Sequence, residues 1–362
     1  MKKKILILSN HFITLYNFRK ELIHRLVEEG HEVILSMPSS GENQYFINLG
    51  CRVIETEVDR RGLNPIKDMK LILNYIKIMK KINPDIIFSY TIKPNIYGSL
   101  ASNITRYRQV NNITGTGATF LNDNLVSKVA RVLYKVSIKH SYKVFFQNSG
   151  DRDYFVKNKM VKENYELLPG SGVNLEQYQF TELPKTDIIN FIFIGRVMKV
   201  KGIEEYLECA KVIKEENMNV NFYIAGFIEE KQYKGIIEEY HNKGIINYIG
   251  FQKDIKSWIQ KSHCTVLPSH GGEGVPNVIL ESAAIGRPAI VSNINGSTDV
   301  IENNITGYVF KKKDSKSLIN QVNKFISLDI KRRKKMAMES RKKVEKYFNR
   351  QLIIQKYLDE LD

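Results

Sequence analysis

Short apolar runs alternate with helix-length segments along the whole chain, and the alternation starts twice. The first set lies at 4–9, 32–37, 52–56, 85–90, 109–114 and 143–148, and each run reads as a buried strand. Segment 15–29 shows the helical half of the pattern. Phe18, Leu22 and Leu26 recur every fourth residue, Arg19, Lys20, Glu28 and Glu29 lie off that stripe, and Gly30 supplies the stop. Such alternation builds a parallel sheet covered by helices on both faces. The pattern restarts near Asp187, with strands expected at 190–195, 219–226, 245–250, 264–268, 288–292 and 307–310. Between the sets, 181–186 is polar, contains Pro184 and lacks periodicity, which predicts a linker. The expected organisation is therefore two α/β domains, 1–180 and 187–347, with a final helix over 348–362 packing back on the first. A length of 362 residues suits two domains at roughly 100–200 residues each. Two such sheets joined by a short linker face each other across a cleft, and ligands of doubly wound sheets lie at the carboxyl ends of the strands.

Composition removes several alternatives. With 43% hydrophobic and 26% charged residues the chain fills cores and solvates a surface, which excludes a disordered or collagen-like chain. No apolar run approaches the ~18 residues of a membrane span. Lys2-Lys3-Lys4 followed by Ile5 to Leu8 imitates a leader peptide, but Ser9, Asn10 and His11 interrupt the apolar stretch too soon. Cys51, Cys209 and Cys264 are few, odd in number and far apart, which points to a reducing, cytoplasmic setting. The net charge of +16 is concentrated in residues 1–180, with 26 basic against 16 acidic residues. That excess implies an anionic partner: nucleic acid, an acidic membrane or a phosphorylated ligand.

Two constellations carry chemistry. Leu267-Pro268-Ser269-His270-Gly271-Gly272-Glu273-Gly274-Val275-Pro276-Asn277 runs from a strand through a glycine-rich loop into a helix, with Pro276 expected in the first turn and Glu281 in the second. Glycines allow close backbone approach, and free amides at a helix start attract anions. Glu273 and Glu281 each accept hydrogen bonds from neighbouring hydroxyls, as on a ribose or sugar ring. The second constellation, Gly195-Arg196-Val197-Met198-Lys199-Val200-Lys201-Gly202, follows the first strand of the second domain. Arg196 offers a planar fork for phosphate oxygens and Lys201 a compact charge.

Together, Gly195-Arg196, Lys201-Gly202, Glu273 and Glu281 resemble the donor-site signature of family 4 of the retaining nucleotide-sugar glycosyltransferases. Asp59-Arg60-Arg61-Gly62-Leu63-Asn64-Pro65, Thr91-Ile92-Lys93-Pro94-Asn95, Ile113-Thr114-Gly115-Thr116-Gly117 and Leu168-Pro169-Gly170-Ser171-Gly172 narrow the likeness. It is to bacterial enzymes of capsular polysaccharide or lipid-linked oligosaccharide assembly, and it spans about 5–347. The resemblance implies a GT-B fold, two doubly wound Rossmann-like domains facing across a cleft, with the donor on the second and the acceptor on the first. It implies transfer of a hexose or N-acetylhexosamine, with retention and without a metal or other cofactor. The donor is a nucleotide-sugar, expected to be UDP-linked. The acceptor is a polyprenyl-diphosphate-linked glycan at the cytoplasmic membrane face. By carry-over, Arg196 and Lys201 hold the diphosphate, Glu273 contacts the sugar and Glu281 the ribose. The amides of Gly274, Val275, Pro276's successor Asn277 and their loop meet phosphate or sugar, and the turn holding Phe251 and Asp254 meets the base. Segment 10–17 lacks the paired glycines of many members, and Gly115-Thr116-Gly117 stands where many carry a histidine. Asn10 and Thr116 are the first-domain contacts expected.

Other readings compete at particular residues. Asp151-Arg152-Asp153 has the form of a metal-binding D-x-D, but its place before a helical stretch predicts a cap. His263 and Cys264 are adjacent on one strand, point to opposite faces and are expected to bind no zinc. Segments 64–83 and 127–142 interleave apolar and basic residues and are expected to meet an anionic membrane surface. No zinc-finger spacing, aromatic RNA-binding signature or basic zipper supports nucleic acid as the partner. A nucleotide-sugar epimerase on the same scaffold differs in turning over donor with no acceptor present.

Overall fold

The computed structural model describes residues 1–59, 62, 64–115, 125–216 and 219–362, side chains at 125 and 126 excepted. The chain divides into two compact units, Met1–Ser171 with Ile353–Asp362, and Gly172–Leu352.

Among the described residues the first unit holds seven strands: β1 (Lys4–Leu8), β2 (Glu32–Met37), β3 (Arg52–Glu55), β4 (Ile86–Tyr90), β5 (Gln109–Ile113), β6 (Lys143–Phe146) and β7 (Tyr165–Leu167). They lie in the order β3-β2-β1-β4-β5-β6-β7, and every pairing is parallel. β1 is central: Ile5 pairs with Val33 on one side and Ile86 on the other. Its side chains alternate between two cores, Ile5 and Ile7 in one, Leu6 and Leu8 in the other, so both faces are dry and the run is continuously apolar. β5 departs from that rule, since Gln109 and Asn111 are polar and fully buried. They survive in one shared network: Gln109 donates to Asn111 at 2.6 Å, Asn111 donates to Ser99 and Ser141 at 2.8 Å, and Ser89 donates to Asn111 at 2.7 Å. β7 is absent from the predicted strands because three half-exposed edge residues leave no periodic signal.

The second unit has six strands among the described residues: β8 (Ile189–Ile194), β9 (Val220–Ala225), β10 (Asn247–Gly250), β11 (Cys264–Leu267), β12 (Ala289–Ser292) and β13 (Gly307–Phe310), ordered β10-β9-β8-β11-β12-β13 and all parallel. The order reverses between β8 and β11, so the connections leaving these neighbours run to opposite sides and open a crevice at their carboxyl ends.

Two local expectations change. Arg19 is not on a solvated face: it is 3% exposed, with its guanidinium 4.7 Å from the Tyr90 ring and 5.7 Å from that of Tyr357. The returning C-terminal segment brings Tyr357 there, with Ile353, Ile354 and Leu361 in the same core, and helical periodicity carries no trace of it. Segment 181–186 is not a free linker. The boundary lies at 171/172, and the buried Arg287 binds the Thr181 carbonyl at 2.7 Å, the Thr181 hydroxyl at 2.8 Å and the Glu182 carbonyl at 3.0 Å. Burial draws the Arg287 guanidinium down to about 10.

Candidate active site

After β8 the chain passes Gly195 and Arg196, makes a 3₁₀ turn at Lys199–Lys201 and enters the helix Ile203–Glu216. The join between turn and helix is Gly202, with φ of +74°, and a Cβ there would sit 2.0 Å from the Pro268 carbonyl oxygen. Only glycine combines that left-handed backbone with that approach. Pro268 follows β11, which pairs with β8 through Cys264 to Phe191 and Thr265 to Ile192. Hydrogen bonds then lace the two loops together. His270 donates its amide to the Val200 carbonyl at 2.8 Å, and the Ser269 hydroxyl donates to Glu273 Oε1 at 2.9 Å. Lys201 Nζ closes on the same Oε1 in a short, partly buried ion pair. Residues 72 apart in sequence are thus in contact at the point where the strand order reverses.

Beneath this pair, His270 Nε2 lies 3.0 Å from Glu205 Oε1, both nearly enclosed. Ser292 donates to the Ser269 carbonyl and holds the loop to the end of β12. Arg196 occupies the same loop but reaches Glu229 Oε1 at 3.5 Å and stays substantially exposed. Lys201 and Arg196 therefore each rest against a carboxylate.

The loop 271–276 leads to the helix Asn277–Ile285. Pro276 is its N-cap, one place earlier than the first-turn position expected, because its ψ of 115° is extended. Gly274, Val275 and Pro276 are buried and Asn277 half-buried. Gly296, with φ of +81°, packs so closely that a Cβ would lie 1.7 Å from the Gly274 carbonyl oxygen. Neither the cap nor the first turn brings an acidic group to the start of this helix, so its partial positive charge is not offset there by its own residues. Asn277 Oδ1 is buried with no hydrogen-bond partner among the described residues. Glu281, half-buried in the second turn, is raised by burial from 4.5 to about 7, against the opposing pull of a Tyr178 hydrogen bond and the Arg350 charge.

The remaining predicted residues lie elsewhere. Phe251 is 69% exposed after β10, and Asp254 caps the helix Ile255–Lys261 by accepting from the Ser257 amide at 3.2 Å. Asn10, half-buried, follows β1 in the first unit, just before His11, the cap of the helix Phe12–Glu28. Thr116 lies outside the described residues. Asp151 belongs to a cap with Asn148, whose Oδ1 accepts from the Asp151 amide at 2.7 Å, and Arg152 pairs with Asp153. His263 is buried, its Nδ1 accepting from the Asn190 amide at 3.1 Å, and burial lowers it to about 4. Cys264 and the other two cysteines are buried and free. Among the described residues no three His, Cys, Asp or Glu side chains converge as a metal site.

Sequence reasoning missed Glu205, Tyr178, Glu229, Ser292 and Arg350. Each is an ordinary residue tens of positions from the motif it supports, and only the strand order brings them together.

Two family models match this chain: "Glycosyl transferase 4-like" over residues 4–148 and "Glycosyl transferases group 1" over 176–343. A similar protein is the N,N'-diacetylbacillosaminyl-diphospho-undecaprenol alpha-1,3-N-acetylgalactosaminyltransferase of Campylobacter jejuni, 29% identical, with 97% of this chain and 96% of that protein covered. The UDP-Gal:alpha-D-GlcNAc-diphosphoundecaprenol alpha-1,3-galactosyltransferase of Escherichia coli is 26% identical over 82% of this chain and 80% of its own. Among solved structures, a glycosyltransferase from Rickettsia africae superposes with a TM-score of 0.84 at 19% identity, covering 99% of this chain and 98% of that one, a likeness of fold. The fold is GT-B.

Proposed function

Because this chain belongs to the glycosyltransferases, in the bacterial family 4 group of capsular and lipid-linked glycan assembly, we propose that its donor is a UDP-sugar and its acceptor a polyprenyl-diphosphate-linked glycan. The relatives' acceptors, both diphospho-undecaprenol glycans, support that class. The sugar is a hexose or an N-acetylhexosamine, and the reaction runs at the cytoplasmic face of the membrane by a peripherally bound enzyme. No helix among the described residues is long and apolar enough to cross a bilayer.

The observation that carries the reading is the Lys201–Glu273 contact at the ends of β8 and β11. In the proposed chemistry the bond from the anomeric carbon to the diphosphate oxygen breaks. The acceptor hydroxyl oxygen bonds to the anomeric carbon on the same face, and its proton passes to the departing phosphate oxygen. Negative charge grows on the diphosphate, so fixed cations stabilise the transition state more than the ground state. Lys201 exchanges Glu273 for a phosphate oxygen and Arg196 exchanges Glu229. Glu273, released, accepts from a sugar hydroxyl, and the amides from Gly274 to Asn277 add donors. Glu281 accepts from the ribose diol, Phe251 and Asp254 border the base, and Asn10 and Thr116 serve the acceptor side. With two cations in place we assign the site no metal and no cofactor, and the partners include no nucleic acid.

The test is transfer of radiolabelled sugar from a panel of UDP-sugars to a polyprenyl-diphosphate glycan, with product anomer assigned by NMR. Lys201→Met should lower turnover roughly 10²–10³-fold, and Arg196→Ala should raise the donor KM. Wild-type kinetics in both variants would refute the site, and an inverted product would refute retention.

A further inference from the structure

In the proposed reaction the donor diphosphate draws Lys201 away from Glu273, so the ion pair joining the two loops opens just when the ammonium must be well placed. Other contacts must then hold the turn Lys199–Lys201 against the loop that follows β11. Two of them are made to the backbone of the turn. The Val200 carbonyl accepts from the His270 amide at 2.8 Å and from the Ser269 hydroxyl at 3.3 Å, and Gly202 packs on the Pro268 carbonyl. A third contact, between side chains, reaches past the turn into the helix Ile203–Glu216: His270 Nε2 lies 3.0 Å from Glu205 Oε1.

This third contact does not earn its place through stability. Glu205 is 7% and His270 9% exposed, and Glu205 Oε2 is buried with no hydrogen-bond partner among the described residues. A buried carboxylate with one oxygen unsatisfied destabilises a fold, and apolar side chains of similar volume commonly do better in such a place. The first turn of the helix offsets part of the charge through its free amides. A carboxylate only accepts, so His270 Nε2 donates. Neighbouring Glu204 is engaged elsewhere, accepting from the Tyr233 hydroxyl at 2.8 Å and pairing with Lys199 at 3.2 Å. The Lys199 amide donates to Glu230 Oε2 at 3.0 Å. The turn that carries Lys201 is thus tied at its start by Glu204 and Glu230, and just past its end by the His270–Glu205 bond.

We infer that His270 and Glu205 are positioning residues for Lys201. Their hydrogen bond clamps the start of the helix to the loop that carries Glu273, and it keeps the ammonium aimed at the diphosphate after Glu273 has let go. The role rests on the donor-site reading above, which supplies the diphosphate. A bond that only stabilised the fold would behave differently: activity would follow stability, and its loss would be independent of Lys201. A clamp acts through Lys201. Negative charge on the diphosphate is largest in the transition state, so a misplaced ammonium lowers kcat more than it raises the donor KM.

The test is kinetics of transfer from UDP-sugar to a polyprenyl-diphosphate glycan, with melting temperatures, on variants of the full chain. His270→Leu/Glu205→Leu removes both partners together, leaves no orphaned charge and should melt at or above the wild-type temperature. It should nevertheless lose about 10²-fold in kcat, the effect of misplacing a catalytic group by roughly 1 Å, with little change in donor KM. His270→Gln still presents a donor near the Nε2 position and should recover most of that turnover. In a Lys201→Met background the double leucine change should lower kcat no further, because residues that act as a unit are not additive. His270→Asn, too short to reach Glu205, is the second variant and should show the same coupling to Lys201→Met if the double leucine protein does not fold. Wild-type kcat in the double leucine variant, no recovery in His270→Gln, or a further full loss on top of Lys201→Met would overturn the positioning role and leave the donor site standing. Wild-type kcat in Lys201→Met, or a wild type that uses no UDP-sugar, would bring down the donor-site reading and the role with it.

Discussion

Replacing Glu281 by glutamine should separate what this residue does for the ligand from what it costs the fold. Its carboxyl is held near 7 in the folded protein against an ordinary 4.5, chiefly by burial, even with Tyr178 donating to it and Arg350 nearby. The sign follows from proton counts. Between pH 4.5 and 7 the folded state keeps a proton that the unfolded state has given up, so stability falls as pH rises through that window and levels off above it. At about 1.4 kcal/mol per pH unit, the charged carboxylate costs about 3 kcal/mol at pH 8. Glutamine has nearly the same shape, still accepts from Tyr178 and never ionises. Urea unfolding of wild type and Glu281→Gln at pH 5, 6, 7 and 8 should therefore show a difference in favour of the variant that grows from about 1 kcal/mol to about 3 kcal/mol. Donor binding should move the other way. A carboxylate accepts from a ribose diol more strongly than an amide, so wild-type affinity for UDP should rise through pH 7 while that of the variant stays low and flat. A variant that is less stable at pH 8, or a stability difference that ignores pH, would refute this account of Glu281.

Two further substitutions test how the site is held. Gly202→Ala places a methyl against the Pro268 carbonyl at a left-handed backbone position, and should cost at least 2 kcal/mol, roughly the strain of one such residue plus the displaced loop; a melting temperature within a degree of wild type would contradict it. Arg287→Met should cost about 3–5 kcal/mol, because it leaves the carbonyls of Thr181, Glu182 and Gln260 without their buried donor. Chemical denaturation checks this, and preferential proteolysis within 181–186 should accompany it.

Every described strand but β7 was readable, because most are short apolar runs that must be buried, and hydrophobicity records burial directly. The glycine-rich loop, Arg196, Lys201, Glu273 and Glu281 were readable because their residue types are chemically restricted and stand just after strands. Arg19 was misplaced, and Arg287 went unread, for the opposite reason. A charged residue reads as surface unless its partners are known, and here those partners are rings and carbonyls far away in sequence. Periodicity is ambiguous in the same way on the helix Pro65–Ile82, where Ile66, Met69 and Leu73 are exposed: it marks an apolar face without saying whether anything covers it.

By itself, then, the order of residues determined two parallel α/β sheets and the polar segments after their strands that carry Arg196, Lys201, Glu273 and Glu281, because burial and residue chemistry are local properties. Which groups touch was decided only by tertiary structure. The reversal of strand order at β8 and β11 brings Lys201 to Glu273 and Glu205 to His270 across 72 and 65 residues. The same packing dries Glu281 enough to move its proton equilibrium into the neutral range. Contact and dielectric environment are properties of chain crossings, and a linear pattern holds no record of them.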